Sequence, residues 1–447
     1  MTASATAGTA RPGSSSASVH DPAWWVAVAL LAAVYVAIAL TAYADVGLPG
    51  VPHVAHAGLQ GDATGFYAQA RELMAAFGRM PRALLALEAL VVLSAAAAAV
   101  RLRRRPALRP WLAPAALFVA GLCLVGVIHW MRAAGAAVFG WPLVWGLVML
   151  PYRALGLPLG TFTGWEIGTG VSLLFVALTV VAVAYLGRNA MGDRRAGLLA
   201  AGLWTAWPLL VGLISGHRAW ENDQWSIGIG LHGYDEPLST LLVTSAAALL
   251  LARSRTRVTV SLAGCLLSLA TCVKLSNAVV AAVALVLLAG FERRRVLPFL
   301  AGAVSFAPVV LAYWPLGYAR LFGNRSSWPS DPFDVSYIVP SWTHSLVFTP
   351  RALAIIVPLA ALGVLALRRN WQRALVLAFL LVNPVFYSFF ANTPQHPRFL
   401  YASLPELFVL WAAGASALAS LARRSSHAEP TSASHAAASP SDSGVTR

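Results

Sequence analysis

The chain has 447 residues, 58% hydrophobic and 11% charged, with mean hydropathy +0.69 and a formal net charge of +15. So apolar a composition excludes a soluble multidomain protein and indicates an all-α polytopic membrane protein. The positive charge does not imply a nucleic-acid partner, because most arginines sit in short turns beside apolar runs, where they meet membrane lipid headgroups.

Residues 1–23, rich in Ser, Ala, Thr and Gly, read as a disordered cytoplasmic tail. Apolar runs follow near 24–43, 83–100, 111–129, 168–187, 196–214, 237–252, 258–274, 276–290, 296–314, 351–367, 374–391 and 400–421. A membrane helix needs about 17 to 25 such residues, and the shorter runs can recruit flanking aromatics. The expectation is about twelve transmembrane helices in one domain over 24–421, followed by a second cytoplasmic tail over 422–447. The first run is about twenty residues long behind a lone Arg11 and is expected to stay as an uncleaved helix.

Arginines cluster at every second connection: Arg101 to Arg109, Arg188 to Arg195, Arg253 to Arg257, Arg293 to Arg295, and Arg368 to Arg373. The positive-inside rule makes these turns cytoplasmic, with both termini on the same side. Ten of the seventeen acids lie in the alternate connections: Asp45, Asp62, Glu72, Glu166, Glu221, Asp223, Asp235, Glu236, Asp331 and Asp334. The cytoplasmic turns are too short to build a nucleotide pocket, so function is expected in the longer outer loops of a plasma (inner) membrane protein.

In the first outer loop Phe66, Ala70, Leu73 and Phe77 recur at helical spacing after Asp62, predicting a helix lying in the interface. In the second, Trp141 to Tyr152 is bounded by Pro142 and Pro151. It is too short to cross and predicts an interfacial or re-entrant helix. Cys123, Cys265 and Cys272 all lie inside apolar runs without ligand spacing and read as packing residues.

Several segments resemble one family when taken in order. These are GDATGFYAQA (61–70), AYLGRNAMGDRRAGLLAAGLWTAWP (184–208), YDEPLSTLLVTSAAALLLAR (234–253), LATCVKLSNAVV (269–280) and HPRFLYASLPEL (396–407). Together they are similar to landmarks of the dolichyl-phosphate-mannose-protein mannosyltransferase-like superfamily, which has the GT-C glycosyltransferase fold. The resemblance implies a GT-C-like bundle that moves a sugar from a polyprenyl-phosphate donor to a lipid, glycan or protein acceptor on the extracytoplasmic face. The chain carries a lone Asp62 where protein mannosyltransferases have an acidic pair, so protein need not be the acceptor. The competing expectation is a membrane transporter or flippase for a lipid-linked or small solute.

Glycosyl transfer from a lipid phosphate needs a carboxylate to deprotonate the acceptor and cations, or a metal, to take up charge on the departing phosphate. Asp62 is the candidate base, or else caps the loop helix. Asp235 and Glu236 would orient sugar hydroxyls, or else form a solvated acidic helix start; a divalent cation held by Asp62 and Asp235 is a further possibility. Lys274, the only lysine, lies between two apolar runs, where a charge is expensive unless paired. It would hold phosphate or snorkel to the interface. Arg398, with His396 and Tyr401, would clamp phosphate or anchor the last span. The resemblance adds Tyr67 as a substrate-binding residue. The aromatic loop containing Trp314, Tyr318, Trp328, Phe333, Tyr337 and Trp342 suits either an interfacial belt or stacking on substrate.

Overall fold

The structure is a computed structural model. It describes residues 21–43, 62–134, 138–158, 161–215, 227–318, 333–348, 350–367, 369–391 and 397–427. Among these the chain is helical throughout, with one isolated bridge between Phe333 and Phe390. The first half comprises α1 (Pro22–Tyr43), α2 (Asp62–Arg79), α3 (Arg82–Leu102), α4 (Arg109–His129), α5 (Gly140–Ala154), α6 (Thr161–Met191) and α7 (Arg194–Ser215). After a short α8 (Ile227–Leu231) come α9 (Glu236–Leu250), α10 (Arg257–Val273), α11 (Asn277–Phe291), α12 (Val296–Ala303) and α13 (Ala307–Tyr313). The chain ends with α14 (Ile338–Phe348), α15 (Pro350–Ala366), α16 (Asn370–Ser388), a 3-10 turn (Pro397–Ser403) and α17 (Leu404–His427).

All twelve apolar runs fall on helices, but length and composition support a membrane crossing for fewer. Five described helices are long and apolar enough: Pro22–Thr41, Arg82–Leu102, Arg109–His129, Gly164–Met191 and Arg398–Arg423. The run at 296–314, expected to be continuous, is bent by 44° between α12 and α13, and the pair taken together makes a sixth. Pro308 sits in the first turn of α13, where its missing N–H is tolerated, and Ser268 Oγ accepts the Phe306 amide at 2.9 Å across the break. The shorter apolar helices, such as α9 with 15 residues, reach only about 22 Å at 1.5 Å per residue, against a hydrocarbon core of about 30 Å. The last helix also runs past 421 to His427.

Both loop helices form. In α2, Phe66, Ala70 and Leu73 are buried and Phe77 half-buried, while Arg71 stays exposed. Helix α5 presents Trp141, Trp145 and Met149, one turn apart, to the core. Tyr67 packs on Trp145 at 5.6 Å between ring centroids and fills the space left by Gly164, where any side chain would collide with its ring. Helices α15 and α17 cross in parallel with Gly363 against Gly414, each facing a carbonyl of the other helix, Leu410 and Leu359. Only glycine permits so close an approach. Cys265 and Cys272 are buried, Cys123 is half-buried, and all three are free thiols.

Candidate functional site

The turn before α9 is held by indoles. Trp141 Nε1 donates to the Gly233 carbonyl at 2.8 Å, and Trp165 Nε1 donates to the Leu231 carbonyl at 3.1 Å. Thr169 Oγ1 reaches the same Leu231 carbonyl at 2.9 Å. Gly233 has φ of 76°, in the left-handed region, which lets the chain reverse into Tyr234, Asp235 and Glu236. Asp235 occupies the N-cap of α9 yet makes no side-chain capping bond, and both acids are buried, at 6% and 2% exposure. A solvated acidic helix start is therefore not what these residues form.

Lys274 reaches them from the other side. It stands in extended conformation between α10 and α11, where Asn277 Nδ2 ties the break together by donating to the Ala270 carbonyl and to Ser239 Oγ. Its Nζ lies 2.7 Å from Glu236 Oε1 and 3.9 Å from Asp235 Oδ1. The lysine is thus paired rather than snorkelling. Arg398, in the 3-10 turn before α17, is buried and donates from Nη2 to Asp62 Oδ2 at 2.5 Å, with its Nε 3.7 Å from Glu236 Oε1. Asp62, the first residue of α2, keeps its side chain 63% exposed.

Five expected residues therefore meet in one ionic cluster: Asp62, Asp235, Glu236, Lys274 and Arg398. Aromatic rings enclose the two cations. The Arg398 guanidinium lies 4.2 Å from the Tyr234 centroid, and Lys274 Nζ lies 4.9 Å from Phe399 and 5.5 Å from Tyr387. Tyr387 and Phe399 stack at 4.6 Å, 8° from parallel, and the Tyr387 hydroxyl pairs with Ser276 Oγ at 2.8 Å. Glu236 Oε2 and Arg398 Nε are buried without a hydrogen-bond partner, beside a cavity of about 10 Å³ that Asn383 and Ser239 also line. That volume suits roughly one water.

Two cations face three carboxylates. Neutrality is reached if one acid keeps its proton, and Asp235, in the turn ahead of α9, is that acid. Burial pushes its carboxyl up to about 8, against the pull of Lys274 and with Glu236 adding to the rise. The folded value exceeds the unfolded one of 3.8. Stability from this group is thus complete below about pH 4 and is lost as pH rises through about 8. The thermal midpoint in detergent is expected to fall between pH 5 and 9, and Asp235→Asn to flatten that slope. Equal slopes in the two proteins would assign the proton elsewhere.

The other expected residues are placed differently. Tyr67 is buried on Trp145, and Tyr401 is buried against Trp204 at 5.3 Å between centroids. His396, Glu221, Asp223, Asp331 and Trp328 lie outside the described residues. Among the described residues no group of three or more His, Cys, Asp or Glu side chains is arranged for a metal. Asp62 faces Arg398, and Asp235 and Glu236 face Lys274.

An apolar groove of about 710 Å³ runs between α11 and α16, walled by Val279, Val283, Leu381, Val385 and Phe386. Phe333, from the aromatic loop, closes it by packing on Phe386 at 5.6 Å and on Phe390 at 5.2 Å. Phe386 in turn packs on Tyr387 at 5.1 Å, so the groove abuts the wall of the ionic cluster. No protein-family model matches the chain, and no curated protein matches it.

Proposed function

We propose that the chain is an integral-membrane glycosyltransferase of GT-C-like, roughly twelve-span architecture. It moves a sugar from a polyprenyl-phosphate donor to a lipid, glycan or protein acceptor at the extracytoplasmic face of the plasma membrane. The observation that supports this reading is the convergence of Asp62, Asp235, Glu236, Lys274 and Arg398 from four parts of the chain, beside an apolar groove. A phosphate with a prenyl tail matches that pairing of buried cations and apolar wall.

In this reading Asp62 takes the proton from the acceptor hydroxyl as its oxygen bonds to the anomeric carbon. The bond from that carbon to the phosphate oxygen breaks, and its electron pair leaves on the phosphate, where Arg398 and Lys274 take up the charge. Asp235, holding its proton, donates to an oxygen of the sugar phosphate. The test is transfer from a labelled polyprenyl-phosphate sugar by the purified protein, with mass spectrometry of the released carrier. A released monophosphate supports the reading, and a diphosphate assigns the chain to pyrophosphate-linked substrates.

One observation favours a transporter or flippase. Glu406, in the first turn of α17, is fully buried with neither carboxylate oxygen hydrogen-bonded, and buried ionisable groups within membrane bundles commonly mark ion or solute paths. Counterflow of a labelled solute by the reconstituted protein, without covalent transfer, decides for that reading.

A further inference from the structure

At the far end of the bundle from the ionic cluster lies a second, polar cavity of about 580 Å³. Helix α9 runs from Glu236, in the cluster, to Leu250, three residues short of Arg253 on the cavity wall. The two sites are thus separated by roughly 22 Å at the helical rise of 1.5 Å per residue. The cavity lies where the turn between α6 and α7 meets the end of α15, the start of α16 and the middle turns of α17. Alanines at 190, 196, 366, 413 and 417 leave the space, and Arg253, Arg369, Ser416 and the second N–H of Gln372 supply donors, while Ser420 Oγ donates to the Ala417 carbonyl at 2.7 Å and Gln372 Nε2 to the Asn189 carbonyl at 3.3 Å.

Arg253 is set in place, and both arginines here are under-neutralised. Arg253 Nη2 donates to the Gly192 carbonyl at 2.8 Å, and Gly192 itself takes φ of 73° to present it. This bond fixes the guanidinium while leaving its other N–H donors for a ligand. Neither Arg253 nor Arg369 has a carboxylate partner among the described residues. Nearby Arg255 and Arg295 share the single carboxylate of Glu292. Asp193 also lines the cavity and opposes an anion, but its Oδ1 accepts the Arg195 amide at 3.0 Å. Two guanidiniums, that of Arg253 fixed, with an amide N–H and the Ser416 hydroxyl around one concave space match the oxygens of a phosphate group.

We propose that this cavity binds a phosphate oxyanion on the arginine-rich face, opposite the ionic cluster and independently of the transfer reaction. The phosphate comes from an acidic phospholipid headgroup or from free phosphate in solution, and both present the same chemistry to Arg253 and Arg369.

The test uses the full chain in mild detergent with two probes: phosphatidylglycerol, its retention read by native mass spectrometry, and inorganic phosphate alone, read by thermal shift. Four proteins are compared: wild type, R253Q/R369Q, A417L, which narrows the cavity while keeping both charges, and R103Q/R104Q on a different basic turn. At about 1 kcal/mol for each arginine near an anionic surface, the double variant is expected to bind roughly 30-fold more weakly. The A417L protein should also bind weakly, and R103Q/R104Q should bind like wild type. Retention of lipid without response to phosphate identifies a headgroup site, and response to phosphate identifies a soluble ligand. The proposal is overturned if R103Q/R104Q loses as much as R253Q/R369Q, which would mean diffuse attraction, or if neither probe binds wild type. Should R253Q/R369Q not fold, normal binding by A417L overturns it alone.

Discussion

Asp62→Asn is expected to lower sugar transfer by about 10²- to 10⁴-fold, the usual contribution of a positioned general base, while donor affinity changes only a few-fold. The geometry explains why the two effects separate. Asp62 is the exposed member of the cluster, and its ion-pair partner among the described residues is Arg398, bonded at 2.5 Å. In the proposed reaction a phosphate arriving at Arg398 would compete for the same guanidinium and release the Asp62 carboxylate toward the acceptor. Asparagine keeps the size of the side chain and can still accept from Arg398, but it takes up no proton at its amide oxygen near neutral pH. The loss should therefore appear in kcat, with KM for the donor little moved or slightly lower. Arg398→Gln should show the opposite pattern, with donor affinity lost first. Full turnover in Asp62→Asn removes this residue from the chemistry and leaves its contact with Arg398 as a structural pair.

The charged members of the site were legible in the sequence because charge is scarce there. In a chain with 11% charged residues, a lone lysine between two apolar runs or an acid at the mouth of one has few inexpensive explanations. What could not be read was the pairing. Asp62 and Arg398 are 336 residues apart, and only the folded bundle shows that they meet. The aromatic half of the site was also hidden. Tyr234, Tyr387 and Phe399 box the two cations, and Trp141 and Trp165 fix the turn before α9, yet among sixteen tryptophans and eleven tyrosines none carries a distinguishing sequence signal. Glu406, within the segment at 396–407, carries no such signal, since an acid two residues after a helix start ordinarily meets water. On the fold, periodicity located the helices well, including the two loop helices. The bend after Ala303 is not legible, because hydropathy is continuous across it and only Pro308 marks it.

Removing the lysine should have the largest effect on stability. In Lys274→Met the methionine fills most of the space, but Glu236 keeps a buried charge whose nearest cation becomes Arg398, at 3.7 Å from Nε. Breaking a buried pair from one side costs about 3–5 kcal/mol, because the remaining ion has lost both its partner and its water. Arg398 offsets part of this, which places the expected loss near the lower end of that range. The double variant Lys274→Met/Glu236→Gln should recover most of the stability, since the amide buries without a net charge and can still bond to Arg398. Denaturant titration in mild detergent, following tryptophan fluorescence, measures all three proteins. A single variant within about 1 kcal/mol of wild type would place the pair with ordinary solvent-screened surface pairs. It would also remove the argument that the cluster is a desolvated site, because a lysine held there only by water would have no need of Glu236 and no reason to meet a phosphate.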